Sequence, residues 1–424
     1  MTTARTLATS ALSIGLAAAI AIAAPTPATS PSSRPVDISG VEKQDLFESR
    51  TAGYTVYRIP GIIVTGRGTL LAYCEARKAH GWDWDPIDVL LRRSTDGGRT
   101  WDAPRPVAIA PVDARPNPAA VAFKRAGDWV TLNNPVMIAG PDAAVHFLYC
   151  VNYGRCFYRR SDDDGATFSA PVEITATFDK FRPEYNWLVI GPGPGHGIRL
   201  STGPHAGRLV VPVWLSLGTA GNGHHPASAA TVFSDDDGKS WQRGEFFARG
   251  TPGIVDPSET EAVELSDGRV MLNTRTDTPG NRRLITIGPD GATHWSEPAY
   301  DPALFDPVCF ASIIRLHDTP HGHESGRIVF ANPDSSASNW KSVMKPRRNL
   351  TLRLSEDDGQ TWPVAKALEP GVAAYCDLAV GPDGTLYCLY ERGGINDMFD
   401  TQFLTLARVP EDWLKPGAST TSSP

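Results

Sequence analysis

An all-β fold of repeated four-stranded antiparallel blades is what this sequence predicts, and three observations carry that reading. Short runs of β-branched and aromatic residues are broken by turn residues along the chain, a texture matched by 39 Gly, 36 Pro and 11 Trp. No long segment repeats its apolar residues at the helical period. One turn signature, Ser-x-Asp-x-Gly-x-Thr/Ser-aromatic, recurs from Ser94, Ser161, Ser234 and Ser355, with a degenerate copy in residues 288–295. If one copy is lost between the last two, the period is roughly 55 to 75 residues, longer than solenoid repeats and suited to propeller blades. A β-sandwich, the runner-up, would show turns at shorter spacing without that period. In the repeated turn, Ser and Asp accept backbone amides, Gly supplies positive φ, and the aromatic tucks beside the hairpin it closes.

Taken in order, residues 1–28 read as a secretory signal: Arg5, an apolar run from Leu7 to Ala24, and small residues at Ala21, Ala23 and Ala28. A membrane anchor is the alternative, but the run is broken by Ser10, Ser13 and Gly15 and is at the short limit for spanning. Residues 29–40 form a flexible Thr/Pro/Ser linker, 41–414 a six-bladed β-propeller, and 415–424 a disordered tail. The blades parse as residues 54–109, 119–174, 187–247, 258–300, 310–368 and 373–414. A strand at 44–48 joins the last blade and closes the ring, removing an open sheet edge.

The formal charge of −7 gives no basic field, which argues against nucleic acid or anionic membrane as partner. An anionic ligand must then be held by a local arginine cluster. Six cysteines, Cys74, Cys150, Cys156, Cys309, Cys376 and Cys388, form no CxxC, so zinc is not expected. Disulfides and buried thiols both remain open.

Arg58 lies in an apolar strand pattern, where a charge needs a partner, Glu75 or Glu391. Tyr57-Arg58-Ile59-Pro60 followed by the turn at Ser94, Asp96, Gly98, Thr100 and Trp101 resembles the sialidase (neuraminidase) family of glycoside hydrolases. In that family the first motif carries one of three arginines that grip the substrate carboxylate, and the turn, the Asp-box, is structural. The resemblance covers residues 45–410 and implies the remaining site. Glu259 and, sixteen residues on, Arg275 match the catalytic glutamate and second arginine. Arg347 matches the third by its place before an Asp-box, with Arg348 beside it as competitor. Tyr375 matches the catalytic tyrosine, and Glu391 the glutamate that orients the first arginine. Asp83, flanked by Trp82 and Trp84, matches the acid/base; the indoles are expected to shelter it and raise its pKa, while Asp85 competes and Asp88 fixes the loop.

The chemistry accounts for these residue types. Three guanidiniums offer planar forks that bind one carboxylate from several sides. A sialoside carries that carboxylate on its anomeric carbon, so a carboxylate nucleophile at about 4 Å would be repelled by about 4 kcal/mol at an effective dielectric of 20. A phenol, activated by a base, avoids this, and sialidases are the tyrosine exception among glycosidases.

Other features read as non-catalytic. The Gly-rich 191–200 stretch lacks Gly-Lys-Ser/Thr and opens no helix, so it is no phosphate loop; the resemblance places it beside the site, where His196 is a minor candidate for substrate contact. His224, His225 and the histidines at 321 and 323 read as exposed loop residues without a ligand-spaced acid. The Asp runs at 162–164 and 235–237 belong to Asp-boxes and leave a structural calcium open. No cofactor and no catalytic metal are expected. The resemblance thus implies a secreted, monomeric exo-α-sialidase acting with retention on sialylated glycans, without stable membrane insertion. The alternatives are a hydrolase of another ulosonic acid, such as Kdn or a Kdo-like sugar, a trans-sialidase, and a glycan-binding propeller with a dead site.

Overall fold

The structure, a computed structural model, describes residues 40–316, 326–395 and 397–415. The signal segment, nearly all of the linker, the tail beyond residue 415 and the histidines at 321 and 323 lie outside the described residues. Among the described residues no helix is long and apolar enough to cross a membrane.

The first sheet shows how the local sequence builds a blade. Strand Val56–Val64 turns back through Gly68, at φ +84°, into Leu70–Arg77, then Ile87–Ser94 and Arg105–Pro106. Leu70–Arg77 is buried at every position, because both faces of the sheet are covered; its apolar run is therefore continuous and not alternating. Three further sheets follow the same plan: Leu132–Ala139 to Val172–Glu173 with the short parallel strand Gly195–His196, Val189–Pro192 to Gln242–Ala248, and Thr260–Glu264 to Ala299–Phe305.

The expectation of six separate four-stranded blades is corrected at the last third of the chain. There, Ser312–Arg315, Ile328–Pro333, Arg348–Ser355, Val364–Val380, Leu386–Gly394, Thr401–Val409 and the N-terminal strand Glu42–Glu48 form one seven-stranded sheet. The cause is the 17-residue strand Val364–Val380. Its first half pairs with Arg348–Ser355 and its second with Leu386–Gly394, and the expected break between residues 368 and 373 does not occur. Extended backbone is compatible with the fixed φ of proline, and Pro370 sits where one ladder gives way to the next. Glu42–Glu48 pairs antiparallel with Thr401–Val409, as the sequence predicts.

The Asp-boxes take the predicted form. In each, the Ser Oγ accepts the Gly amide and donates to the Asp, and that Asp accepts the amide and hydroxyl of the Thr or Ser four residues on, as in Ser94–Asp96–Gly98–Thr100 at 2.9, 2.8, 2.9 and 2.6 Å. The copies at Ser161, Ser234 and Ser355 repeat these bonds. The degenerate copy keeps only the Asp290–Thr293 half. The box aromatics Trp101, Phe168, Trp241, Trp295 and Trp362 pack into five different hydrophobic clusters between sheets, Trp241 buried and the other four partly so. Arginines then strap four of the five sheets to the box of the next: Arg408 to Gly98, Arg93 to Asp164, Arg160 to Asp237 and Arg208 to Asp290. The sheets are thereby held in a propeller-like arrangement, with Ile62 of the first donating its amide to Asp377 of the seven-stranded sheet.

Candidate active site

Glu259 and Arg275 flank one hairpin. Strands Thr260–Glu264 and Val270–Thr274 pair with Thr260 opposite Thr274, and the ladder runs one rung further, where the Arg275 amide donates to the Glu259 carbonyl at 2.9 Å. Sixteen residues apart in sequence, the two side chains are therefore neighbours, and Arg275 donates to the Glu259 carboxylate at 2.6 Å. The Tyr375 hydroxyl joins them from the seven-stranded sheet: it donates to Glu259 at 2.6 and 2.7 Å and accepts from Arg275 at 2.8 Å. Burial and the neighbouring Glu259 charge hold the phenol well above its ordinary pKa, against the pull of Arg275 and Arg347. It is a neutral hydroxyl with a base already at its proton.

Arg58 and Glu391 meet through two bulges. The register of Val56–Val64 shifts between Arg58 and Gly61, with Ile59 at φ +55°, and that of Val364–Val380 shifts between Ala373 and Cys376. Bulges bend a strand and free an amide. Both freed amides, Ile59 and Tyr375, donate to the fully buried Glu391 carboxylate, at 3.0 and 3.2 Å. The same carboxylate takes Arg58 through Nε and Nη2 at 3.0 and 3.2 Å. Glu391, not Glu75, is thus the partner of Arg58. Burial works against the Arg58 charge, but Glu391 outweighs it and raises the guanidinium pKa.

Arg347, not the exposed Arg348, turns inward. Its guanidinium lies 5.1 Å from the Tyr375 ring centroid, with that of Arg58 at 5.2 Å. Arg347 Nη2 donates to the Val308 carbonyl at 3.0 Å, its Nε is buried without a hydrogen bond, as is that of Arg275, and among the described residues no carboxylate pairs with it. Three guanidiniums from separate parts of the chain therefore surround one phenol, and one of them lacks a counter-charge. A buried cation without a partner is costly unless an anion arrives.

Asp83 stands in the loop after Leu70–Arg77. Its carboxylate is 2.9 Å from Arg77 Nη1 and 3.8 Å from His224 Nδ1, and its side chain is 44% exposed. The expected rise in its pKa is overturned: burial pushes it up, but Arg77, His224 and Arg58 outweigh that and hold it well below the usual carboxylate range. Nor do the indoles enclose it. Trp84 is buried with its Nε1 on Asn222, and Trp82 is exposed, stacked on His80 with Arg125 over its ring. Asp85 is consumed by its own loop, accepting the His80 and Trp82 amides at 2.6 and 3.0 Å, and Asp88 accepts Tyr54 and Lys78. A cavity of about 340 Å³ opens beside Arg58 and Asp83, bounded by His80, Trp82, Arg125 and Phe399. A larger one, about 440 Å³, lies away from these groups among Ile62, Ile138, Ala262, Ile313 and Leu378.

One neighbour escaped sequence reasoning, and two named from the sequence take other places. Arg77 is held by Glu75 at 2.7 Å and reaches Asp83; as one more strand-end arginine it gave no signal. Glu75 also accepts the amide of Asn134, at a third register shift, repeating the device of Glu391. His224 is not an exposed loop residue: its ring packs among Trp84, Tyr153 and Trp214, and burial lowers its pKa. His225, too, has an acid, with Nδ1 3.0 Å from Asp256. His196 lies buried against Asp377 and Glu261, away from the expected substrate contact. All six cysteines are buried free thiols.

The BNR repeat-like domain family matches residues 68–388 of the chain. The sialidase of Micromonospora viridifaciens is 34% identical over 395 residues, covering 89% of this chain and 56% of that protein. The sialidase of Bacteroides fragilis is 29% identical over 376 residues, covering 84% and 64%. The chain thus spans little more than half the length of the first of these relatives. Among solved structures, the Hadza microbial sialidase Hz136 superposes with a TM-score of 0.67 at 25% identity, covering 86% of this chain and 67% of that one. The intramolecular trans-sialidase of Ruminococcus gnavus superposes with a TM-score of 0.68 at 18% identity, covering 88% and 98%, a likeness of fold.

Proposed function

The chain belongs to the BNR-repeat, sialidase family, and from that premise we propose that it is an exo-α-sialidase that hydrolyses terminal α-ketosidic sialic acid with retention. The observation that carries the reading is the Tyr375 hydroxyl, 2.6 Å from Glu259 and 2.8 Å from Arg275, with two further guanidiniums about its ring. We read the seven-stranded sheet as two blades sharing Val364–Val380, which makes the propeller six-bladed.

In this reading the sialoside carboxylate lies among Arg58, Arg275 and Arg347. Arg347 and the Nε of Arg275, both buried without a hydrogen bond at Nε, then gain an anionic partner. Asp83 gives its proton to the leaving oxygen as the ketosidic bond breaks. Glu259 takes the phenolic proton, and the Tyr375 oxygen bonds to the anomeric carbon. Asp83, now anionic, takes a proton from water, whose oxygen enters on the face the leaving group vacated and displaces Tyr375 on the opposite face; the phenol recovers its proton from Glu259, and two inversions give net retention. Substrate also prepares the acid. Arg58 helps to hold the Asp83 pKa down, and an anion seated on Arg58 weakens that pull.

The test is hydrolysis of matched fluorogenic α-ketosides of N-acetylneuraminic acid and Kdn, with the first-formed anomer read by proton NMR. The proposal expects turnover of the N-acetylneuraminic acid ketoside and release of the α-anomer. Release of the β-anomer first, or turnover of the Kdn ketoside alone, contradicts it.

A further inference from the structure

The strands that carry the reacting pair carry a second charged layer beneath it. Glu261 lies two residues past Glu259 and Asp377 two past Tyr375. Side chains alternate along a strand, so each repeats the aim of the reacting residue about 7 Å further on. His196 enters from another sheet and stands between them, Nδ1 2.8 Å from Asp377 Oδ1 and 3.3 Å from Glu261 Oε1. Glu261 and Asp377 are fully buried and His196 nearly so.

The layer is bonded from every side. Ser312 Oγ lies 2.7 Å from Glu261 and 3.1 Å from Asp377. Glu261 accepts the amides of Ile313 and His196 at 2.9 and 3.3 Å, and Asp377 that of Ile62 at 2.7 Å. With its oxygens so committed, the cluster needs no metal; the imidazolium is its cation. Burial opposes the His196 charge, but Glu261 and Asp377 outweigh it and raise the imidazole pKa well above its ordinary value. Without that ring two buried acidic side chains on different sheets would face each other unbridged, and nothing would hold the strands beneath Glu259 and Tyr375 at their present separation.

We propose that His196 is a positioning residue for the reaction: by bridging Glu261 and Asp377 it sets the separation of their two strands and so keeps Glu259 within proton-transfer reach of Tyr375. This rests on the reading of Tyr375 as nucleophile. It separates the layer that aligns the chemistry from the guanidiniums that bind the carboxylate.

The test is steady-state kinetics of the full chain and its His196→Gln and His196→Ala variants on the N-acetylneuraminic acid ketoside. A misplacement of about 1 Å costs about 10²-fold, so kcat should fall by about that factor. KM and the inhibition constant of a 2,3-unsaturated carboxylate analogue should stay within about threefold, since ground-state binding is not touched. Excess imidazole, entering through the cavity that His196 lines, should restore kcat of His196→Ala about tenfold, part of the orientation term. An unchanged kcat, a rise in KM alone, or a folded His196→Ala indifferent to imidazole would overturn the proposal. Should His196→Ala not fold, Asp377→Asn must show the same split of kcat from KM, or the proposal falls. If the wild-type chain cleaves the ketoside and the variants match it, positioning alone is wrong; if the wild type cleaves none, the assigned reaction falls and takes positioning with it.

Discussion

Arg58 and Arg347 are both buried guanidiniums beside one phenol, yet their electrostatic situations are opposite. Arg58 is neutralised by Glu391, whereas Arg347 has a carbonyl and two aromatic faces. Arg58→Met therefore strands a buried carboxylate and should destabilise the fold by about 3–5 kcal/mol. Arg347→Met removes an unneutralised charge and should leave stability unchanged or raised, while kcat/KM drops about 10²-fold with the loss of a charge-assisted hydrogen bond of about 3 kcal/mol. Denaturant melts and ketoside kinetics on both variants check this; equal destabilisation of the two would contradict it. Asp83 yields a pH prediction. A general acid works protonated, so kcat/KM should decline as pH rises through the Asp83 pKa of the free enzyme. Arg77→Gln removes the largest charge that lowers that pKa, and the basic limb should move up by about 1 to 2 units, the usual effect of one adjacent charge. A limb that stays in place would remove Asp83 from the role. Arg58 was legible because a charge in an apolar strand stands out; Arg77, at a strand end, looks like any surface arginine until its carboxylate neighbours are seen.

The strands explain why distant residues meet, and which of them could be foreseen. The Glu259–Arg275 pairing follows from a hairpin whose turn is readable in Ser266-Asp267-Gly268. The bulges at Arg58 and Tyr375 leave no comparable mark, because the register is set by the Glu391 carboxylate, 333 residues from Arg58 in sequence. The blade boundary expected between residues 368 and 373 erred in the other direction, because extended backbone accommodates Pro370 and Gly371. The layer of Glu261, Asp377 and His196 makes stability itself pH-dependent. Burial, offset in part by His196 and reinforced by Asp377, pushes Glu261 from 4.5 up to about 8. Between those values the folded chain holds a proton that the unfolded chain has lost, so stability falls as pH rises. His196 acts in the same direction: its contribution is full below its ordinary value of 6.5 and is lost as pH climbs through its raised folded value. Tyr73, which also faces the cluster, stays neutral because burial raises its pKa. Carboxylates with lowered pKa values, such as Asp163 in its box, add stability that is lost only on the acid side. The thermal midpoint should thus decline from about pH 5 to pH 8, and Glu261→Gln should flatten that decline. A midpoint that rises toward pH 8 would contradict the charge assignment.

Across the whole molecule, the repeat period, the box turns and the N-terminal strand's return to the last sheet were all legible, because each rests on local chemistry repeated at fixed spacing. The merging of the last strands into one sheet was not, since it depends on which ladder Val364–Val380 joins at each end. The straps from four of the five sheets to the next box use arginines with no sequence signature of their own. What the assembled sheets accomplish is to bring three positive groups around a hydroxyl that already has a base. The most direct measurement is the site of covalent capture: the chain is incubated with a 3-fluorosialosyl fluoride, digested, and the labelled peptide sequenced by mass spectrometry. The account predicts one sialosyl group on Tyr375, lost on replacement by Phe; a label on Glu259 or Asp83, or inactivation of the Tyr375→Phe chain at the wild-type rate, would contradict it.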